Sequence, residues 1–204
     1  MTKKLITPVA LLSYPHFDEP ILPKNGKGKP KYSGSFLFAP GTDLTALTEA
    51  VAEAGVDKFG PTAVAKLKSG ALKNVIRTDA EAKGYPEGTI FINARSEQQP
   101  GMVYLWADPV TKKPALVIPG MATSGYQLTD ADKKKIREVF YPGAKVRVSV
   151  TAFGYDNESK GVTFGLNNVQ LVDGTGPRID GRKSADDEFE ADATMQPANL
   201  ADVE

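Results

Sequence analysis

The sequence lacks cysteine altogether and contains one histidine, His16, among its 204 residues. Disulfide bonds and cysteine-ligated zinc sites are therefore impossible, and a single histidine cannot form a multi-histidine metal site. No serine stands out by its position as a nucleophile that His16 would activate. No stretch approaches the roughly 18 consecutive apolar residues that a membrane-spanning helix requires, so we expect an intracellular protein.

Glycine and proline are abundant instead, with 19 and 15 residues, and their frequency predicts many turns between short elements. Hydrophobic residues make up 41% of the chain, which is enough to bury a core. We therefore expect one folded body over residues 1–178 that is mainly β with helical insertions (α+β).

Three segments carry apolar residues at the three- and four-residue spacing of a helix, and they lie near residues 43–55, 60–73 and 129–140. Gly55 is expected to end the first helix. Thr129 and Asp132 have the spacing of a capping box, which predicts the start of the third. The proline- and glycine-rich stretch 15–31 predicts a long mobile loop.

Alternating apolar and polar residues predict strands over 5–14, 32–39, 89–96, 102–107, 116–118, 144–155 and 162–171. The last two strands are separated by a turn-like segment and form the clearest hairpin. In the second of them the alternation slips by one residue at Asn167 and Asn168. Such a slip predicts a β-bulge.

Charge is divided unevenly along the chain. Residues 179–204 contain eight acidic residues against Arg182 and Lys183, although the whole chain has 25 acidic and 25 basic residues. The remainder is therefore basic, which favours a polyanion as its partner. Because residues 179–204 offer little apolar surface to offset the entropy of ordering, we predict a disordered acidic tail. The tail either competes with the polyanion or serves solubility.

The outward faces of the predicted strands combine aromatic rings with guanidinium groups, and a loop at 24–31 carries four lysines. Rings can stack on the exposed bases of a single strand, while lysine and arginine neutralise phosphates. Met102, Tyr104 and Trp106 are expected to share the outward face of their strand. The candidate nucleic-acid-binding residues are Lys24, Lys27, Lys29, Lys31, Phe91, Arg95, Tyr104, Trp106, Arg147, Phe153 and Tyr155.

Two other interpretations stay open. In one, the strands bury both faces, the aromatics belong to the core, and the chain is a protein-interaction component that does not bind nucleic acid. In the other, Asp156, Glu158 and Lys160 hold Mg²⁺ and position water in a metal-dependent nuclease. Such a trio arises easily by chance in a chain of which 25% is charged, so we expect a non-enzymatic protein that needs no metal or other cofactor.

One long segment is distinctive, YPGAKVRVSVTAFGYDNESKGVTFGLNNVQLVDG at 141–174, and it precedes the acidic segment ADDEFE at 185–190. Together with KGKPKYSGSFLF at 27–38, these residues resemble a family of bacteriophage single-stranded DNA-binding proteins. The resemblance implies an OB-fold-like antiparallel barrel, a role in phage DNA replication and recombination, and a location in the cytoplasm of the infected bacterial host.

The resemblance also implies a role for the acidic tail. Tails of this family contact replication or recombination proteins and occlude the DNA groove when DNA is absent. Here that role would fall to Asp186, Asp187, Glu188, Phe189, Glu190 and Asp192. Some related tails end in an aromatic residue, whereas this chain ends in ADVE. The oligomeric state stays open between a monomer and a homodimer.

Overall fold

The computed structural model describes residues 4–23, 26, 28–81 and 84–180, and structural statements refer to these residues. Lys24, Lys27 and the acidic tail residues from Asp186 to Asp192 lie outside them. None of the described helices is both long enough and apolar enough to cross a membrane. The elements are β1 (Lys4–Ile6), β2 (Ala10–Ile21), β3 (Lys31–Phe38), α1 (Thr45–Phe59), α2 (Ala63–Lys68), β4 (Ile76–Arg77), β5 (Ile90–Ser96), β6 (Gly101–Ala107), β7 (Pro114–Leu116), α3 (Asp130–Val139), β8 (Lys145–Asp156) and β9 (Lys160–Asp173).

Five strands pair in a closed ring in the order β2, β3, β5, β9, β8 and back to β2. Every pairing in the ring is antiparallel except that of β5 with β9, which is parallel. The strands β1 and β4 extend the sheet from β8 and β5, and β6 with β7 extends it from β9. The expected mainly β arrangement with a few helices is confirmed.

The inner face of the ring holds the hydrophobic core. Because side chains alternate along a strand, Val146, Val148 and Val150 of β8 all point inward and are at most 1% exposed. Buried rings and branched side chains of the other ring strands meet them, among them Phe36, Phe38, Ile92, Phe164 and Leu12. The core side chains of β5 and β8 thus alternate with the side chains predicted to face outward.

The helices α1 and α3 pack against the ring and add buried residues to the same core. The helix α1 lies so close to β8 that a Cβ on Gly154 would meet the Lys58 Cβ at 2.5 Å. The helix α3 lies beside β2, where the Phe17 and Phe140 rings meet edge to face with centroids 5.7 Å apart. Its N-terminus is the predicted capping box of Thr129 and Asp132.

Three boundaries differ from the sequence expectation. Gly55 does not end α1 but lies buried inside it, and the helix ends at Phe59, where Gly60 with its φ of +80° forms the C-cap. The second helix already ends at Lys68. Residues 15–21 are not loop but the second half of β2, in which irregular pairing accommodates the prolines.

The bulge predicted in the last strand is confirmed. Pairing of β8 with β9 passes from Ser149–Asn168 to Val150–Leu166, so Asn167 has no partner of its own. The extra residue keeps Leu166 and Val169 on the inner face, and both are buried. It also changes the direction in which β9 presents its outer side chains.

Candidate nucleic-acid interface

The strand register aligns five outward-facing residues across the ring. His16 pairs with Ser33, Ser33 with Arg95, Arg95 with Gly165, and Gly165 with Thr151. Residues paired across strands point to the same side of a sheet, so these residues form one line on the outer surface. We call this line the outer row. Its side chains are polar, and Arg95 in its middle is exposed.

A groove of about 790 Å³ runs over β3 and β5 beside the outer row, and we call it the β3–β5 groove. Its floor is polar where the Ser35 hydroxyl donates a hydrogen bond of 2.6 Å to Asn93 Oδ1. Residues from the end of β2 and the following loop form an apolar wall. The lining includes Tyr14, His16, Ile21, Leu22, Lys31, Ser33, Ser35, Tyr85, Asn93 and Arg95.

Basic side chains of the β2–β3 loop and of β3 stand at the edge of this groove. Lys29 Nζ lies 3.2 Å and Lys31 Nζ 3.7 Å from carboxylate oxygens of Glu97. The hydrogen bond from Lys29 and its positive charge hold the pKa of Glu97 below its usual range. These contacts are exposed, so they are weak and easily exchanged for contacts with another anion.

Phe153 joins the outer row from β8. It is 41% exposed, and its Cε1 would lie 3.4 Å from a Cβ placed on Gly165. Because Gly165 has no side chain, the Phe153 ring can lie over it, next to the strand pair that holds Arg95. The structure thus brings together two predicted site residues, Arg95 and Phe153, in an arrangement that allows a flat ring to stack beside a guanidinium group.

The prediction that Phe91 presents its ring on an open face is wrong. Phe91 does point outward from β5, but it is only 2% exposed. It packs with Leu37, Ala80 and Tyr85 in a small second cluster outside the ring, which we call the outer cluster. The Arg77 guanidinium also lies over the Phe91 phenyl ring, 5.7 Å from its centroid. Phe91 therefore packs in the outer cluster, and it also lines the β3–β5 groove.

The face predicted for β6 is also wrong. Met102 pairs with the buried Val169 and is itself fully buried in the core. Tyr104 pairs with Leu171 on the same inward side, where burial raises the pKa of its hydroxyl. Trp106 stacks on Tyr104 with centroids 4.0 Å apart and is 58% exposed. These two rings form a separate aromatic pair that does not belong to the outer row.

Arg147 and Tyr155 lie at opposite ends of β8. Arg147 pairs with Gln170 and Tyr155 with Gly161. Arg147 is six residues from Phe153, which corresponds to about 20 Å along a strand. The predicted alternation of β8 is correct, but its outer side chains span more than one local surface.

Asp156, Glu158 and Lys160, considered above for a nuclease, lie at the β8–β9 turn, where Asp156 and Lys160 form an ion pair. Lys160 Nζ lies 3.0 Å from Asp156 Oδ2. Within the described ranges, the acidic and histidine side chains form no group of three that could hold a metal ion.

Several residues of the groove were not singled out from the sequence. Ser33, Ser35 and Asn93 lie on strand faces that alternation assigns correctly, but short polar side chains are too common to mark a site. Gly165 carries a weak signal, because glycine inside a strand often marks a close approach. Tyr14 carries another, since the proline after it disturbs strand pairing.

A family model matches nearly the whole chain. The family model described as the single-stranded DNA-binding protein of Enterobacter phage Enc34 matches residues 3–199. No curated protein matches the chain.

Solved structures show the same fold. A structure of the single-stranded DNA-binding protein from bacteriophage Enc34 in complex with single-stranded DNA is 21% identical, with 83% of this chain and 86% of that chain covered and a TM-score of 0.59. Another structure of the Enc34 protein is 20% identical, covers 92% and 90%, and has the same TM-score. The single-stranded DNA-binding protein gp2.5 of bacteriophage T7 is 12% identical, covers 97% and 100%, and has a TM-score of 0.52.

Proposed function

The chain belongs to the family of the Enterobacter phage Enc34 single-stranded DNA-binding protein, and we propose that it binds single-stranded DNA along the β3–β5 groove without reading the base sequence. The observation that carries this proposal is the outer row, in which the exposed Arg95 pairs with Gly165 and the partly exposed Phe153 ring lies over that glycine. No chemical step is involved, and we propose a non-enzymatic role.

We propose further that the ring of strands is an OB-type barrel. In an OB-fold, five strands form a partly open barrel, and its second and third strands bind oligonucleotides together with two loops. The ring strands in chain order are β2, β3, β5, β8 and β9, so the second and third are β3 and β5. The first of the two loops corresponds to residues 22–30, where the lysines cluster.

The β3–β5 groove and Phe153 beside the outer row suit different parts of single-stranded DNA. Phe153 offers a ring for stacking, which tolerates any base because every base has a flat face. Arg95, Ser33 and Asn93 offer hydrogen-bonding groups beside it. Lys29 and Lys31, with Lys24 and Lys27 nearby in the chain, would release counterions from phosphates, which gives affinity without sequence preference.

The acidic tail would regulate this site. We propose that residues 186–192 compete with DNA for the basic groove, and that they contact replication or recombination proteins in the cytoplasm of the infected host. The charge division supports this, because the tail is acidic and the rest of the chain basic. The chain reaches Asp180 against the body, where the Ile179 N–H donates to the Pro142 carbonyl at 3.0 Å.

Salt-dependent binding tests the main proposal. Labelled oligo-dT and a matched duplex are titrated by fluorescence polarisation at several salt concentrations, with EDTA present. With about four phosphate contacts, the logarithm of affinity for oligo-dT should fall against the logarithm of salt with a slope near −3. Lys29→Ala and Lys31→Ala should each reduce this slope by about 0.7, whereas Lys68→Ala on α2 should not. Absence of binding, or a slope near zero, would reject the proposal.

Truncation tests the tail. A chain that ends after Asp180 keeps the contact with Pro142 and should bind oligo-dT more tightly than the full chain at low salt, with the difference fading as salt screens the competing charges. Equal or weaker binding by the truncated chain would reject the competitor role while leaving the DNA-binding proposal intact.

A further inference from the structure

Tyr14 combines two features that are each unusual for an aromatic residue. It is 70% exposed, and its backbone φ is +46°. Residues other than glycine rarely adopt this left-handed backbone conformation, and asparagine or glycine would fit it better than tyrosine. A large ring that is exposed to water and also held in a disfavoured backbone conformation needs an explanation other than packing.

A β-bulge in β2 places the Tyr14 side chain on the outer surface of the sheet. Pairing with β3 passes from Ser13–Ser35 to His16–Ser33, so Tyr14 and Pro15 together lie opposite Gly34. Since Leu12 points inward and is fully buried, strict alternation would turn Tyr14 inward as well. The bulge reverses this direction. Bulges are frequent beside functional sites, where they redirect a side chain.

The neighbours on both sides of the bulge are fixed. Ser13 is 4% exposed, and its hydroxyl lies 2.7 Å from the hydroxyl of Tyr85. His16 holds its place as the first member of the outer row. Tyr14 therefore projects from a rigid support rather than from a loose loop, which reduces the entropy lost when another ring packs on it.

The Tyr14 side chain borders three clefts. Tyr14 lines the β3–β5 groove, a neighbouring apolar groove of about 760 Å³ that includes Leu11 and Pro86, and a cleft of about 480 Å³ between β2 and α3. Single-stranded DNA that passes from the β3–β5 groove into either neighbouring cleft would pass the Tyr14 side chain.

We propose that Tyr14 is a base-stacking residue at the end of the β3–β5 groove away from Phe153. This inference rests on the proposed function and adds a residue to its site. The bound DNA would then stack on two aromatic side chains, Tyr14 at one end of the outer row and Phe153 at the other. Stacking on the bound base would offset the cost of the left-handed backbone at Tyr14.

Substitutions at Tyr14 and photocrosslinking test the inference. Tyr14→Gly removes the ring and suits the backbone, so it should fold normally and bind oligo-dT about 5- to 150-fold more weakly, with an unchanged salt slope. Tyr14→Phe keeps the ring and should bind like the wild type. Val110→Gly removes an exposed side chain from the β6–β7 hairpin and should have no effect. An oligonucleotide carrying 5-iododeoxyuridine should crosslink the wild-type chain at the peptide containing Tyr14.

The outcomes separate the two proposals. If the wild type binds but Tyr14→Gly binds equally well and no crosslink maps to Tyr14, the inference is overturned and the proposed function stands. If the wild type does not bind oligo-dT, both are overturned. Because crosslinking uses the unmodified full chain, the inference stays testable even if Tyr14→Gly folds poorly.

Discussion

The outer surface of β3 and β5 has two halves that differ sharply although the same two strands build both. At one end Phe91 and Leu37 are buried in the outer cluster, whereas at the other end Ser33 and Arg95 lie open in the outer row. Strand alternation assigns all four residues to the same face. The comparison teaches that alternation fixes the direction of a side chain but not whether another segment covers it.

The covering segment runs between β4 and β5. Ala80 and Tyr85 from this segment pack on Phe91, and the Tyr85 hydroxyl bonds to Ser13 of β2. The segment therefore spans three strands at one end of the ring and reaches no further. We expect substitutions under it to change stability and substitutions beyond it to change binding.

The largest expected effect is on stability, from Phe91→Ala. Removing a buried phenylalanine ring should lower the free energy of unfolding by about 3 kcal/mol, because the remaining cluster cannot close around the cavity. Urea denaturation measures this change. Affinity for oligo-dT, measured where the variant is folded, should change less than the stability does, because Phe91 lines the β3–β5 groove but is only 2% exposed. A large loss of affinity with unchanged stability would instead assign Phe91 to the binding site and break the comparison.

The next effect is on binding, from Phe153→Ala. Loss of a stacking ring should weaken oligo-dT binding by about 1–3 kcal/mol, while the free energy of unfolding changes by less than about 1 kcal/mol because Phe153 is 41% exposed. The matched control is Trp106→Ala, which removes another exposed ring from the Tyr104–Trp106 pair. If Trp106→Ala weakens binding more than Phe153→Ala does, the DNA path runs over β6 and not along the outer row.

The sequence allowed much of the fold to be predicted. Periodicity is set by local geometry, so the β8–β9 hairpin, its bulge at Asn167 and the capping box at Thr129 could each be recognised from neighbouring residues. Gly55 and residues 15–21 were misassigned because tertiary contacts decide them. Gly55 permits close packing of α1 on Leu67, and β2 continues past its prolines because β3 lies beside it.

The candidate site was predictable only in part, for a related reason. Arg95 and Phe153 are far apart in the chain and meet only because β5 and β8 both pair with β9. Met102 shows the opposite case, since its burial depends on the pairing of β6 with β9 and not on its own strand pattern. Such long-range pairings leave no local mark in a single sequence.

A smaller effect on stability is expected from Tyr85→Phe. The variant keeps the ring in the outer cluster but removes the partner of the buried Ser13 hydroxyl, which should cost about 1 kcal/mol. In a double-mutant cycle, the variant that combines Tyr85→Phe with Ser13→Ala should regain most of this stability, because the orphaned Ser13 hydroxyl is then also absent. Additive losses in the cycle would show that the hydrogen bond does not hold the covering segment in place.

The smallest effect is expected at the open end, from Glu97→Gln. Glu97 partly neutralises Lys29 and Lys31, so removing its charge should free both lysines for phosphate and raise oligo-dT affinity by up to about fivefold at low salt, as expected for an exposed ion pair. Glu138→Gln on α3 is the matched control and should leave affinity unchanged. Because Lys29 lowers the pKa of Glu97, the wild-type carboxylate stays charged below the usual range of glutamate. The difference between variant and wild type should therefore persist into mildly acidic solution and vanish only as the pH falls through that lowered pKa. A difference that is independent of salt and pH would show that Glu97 acts by shaping the loop and not by its charge.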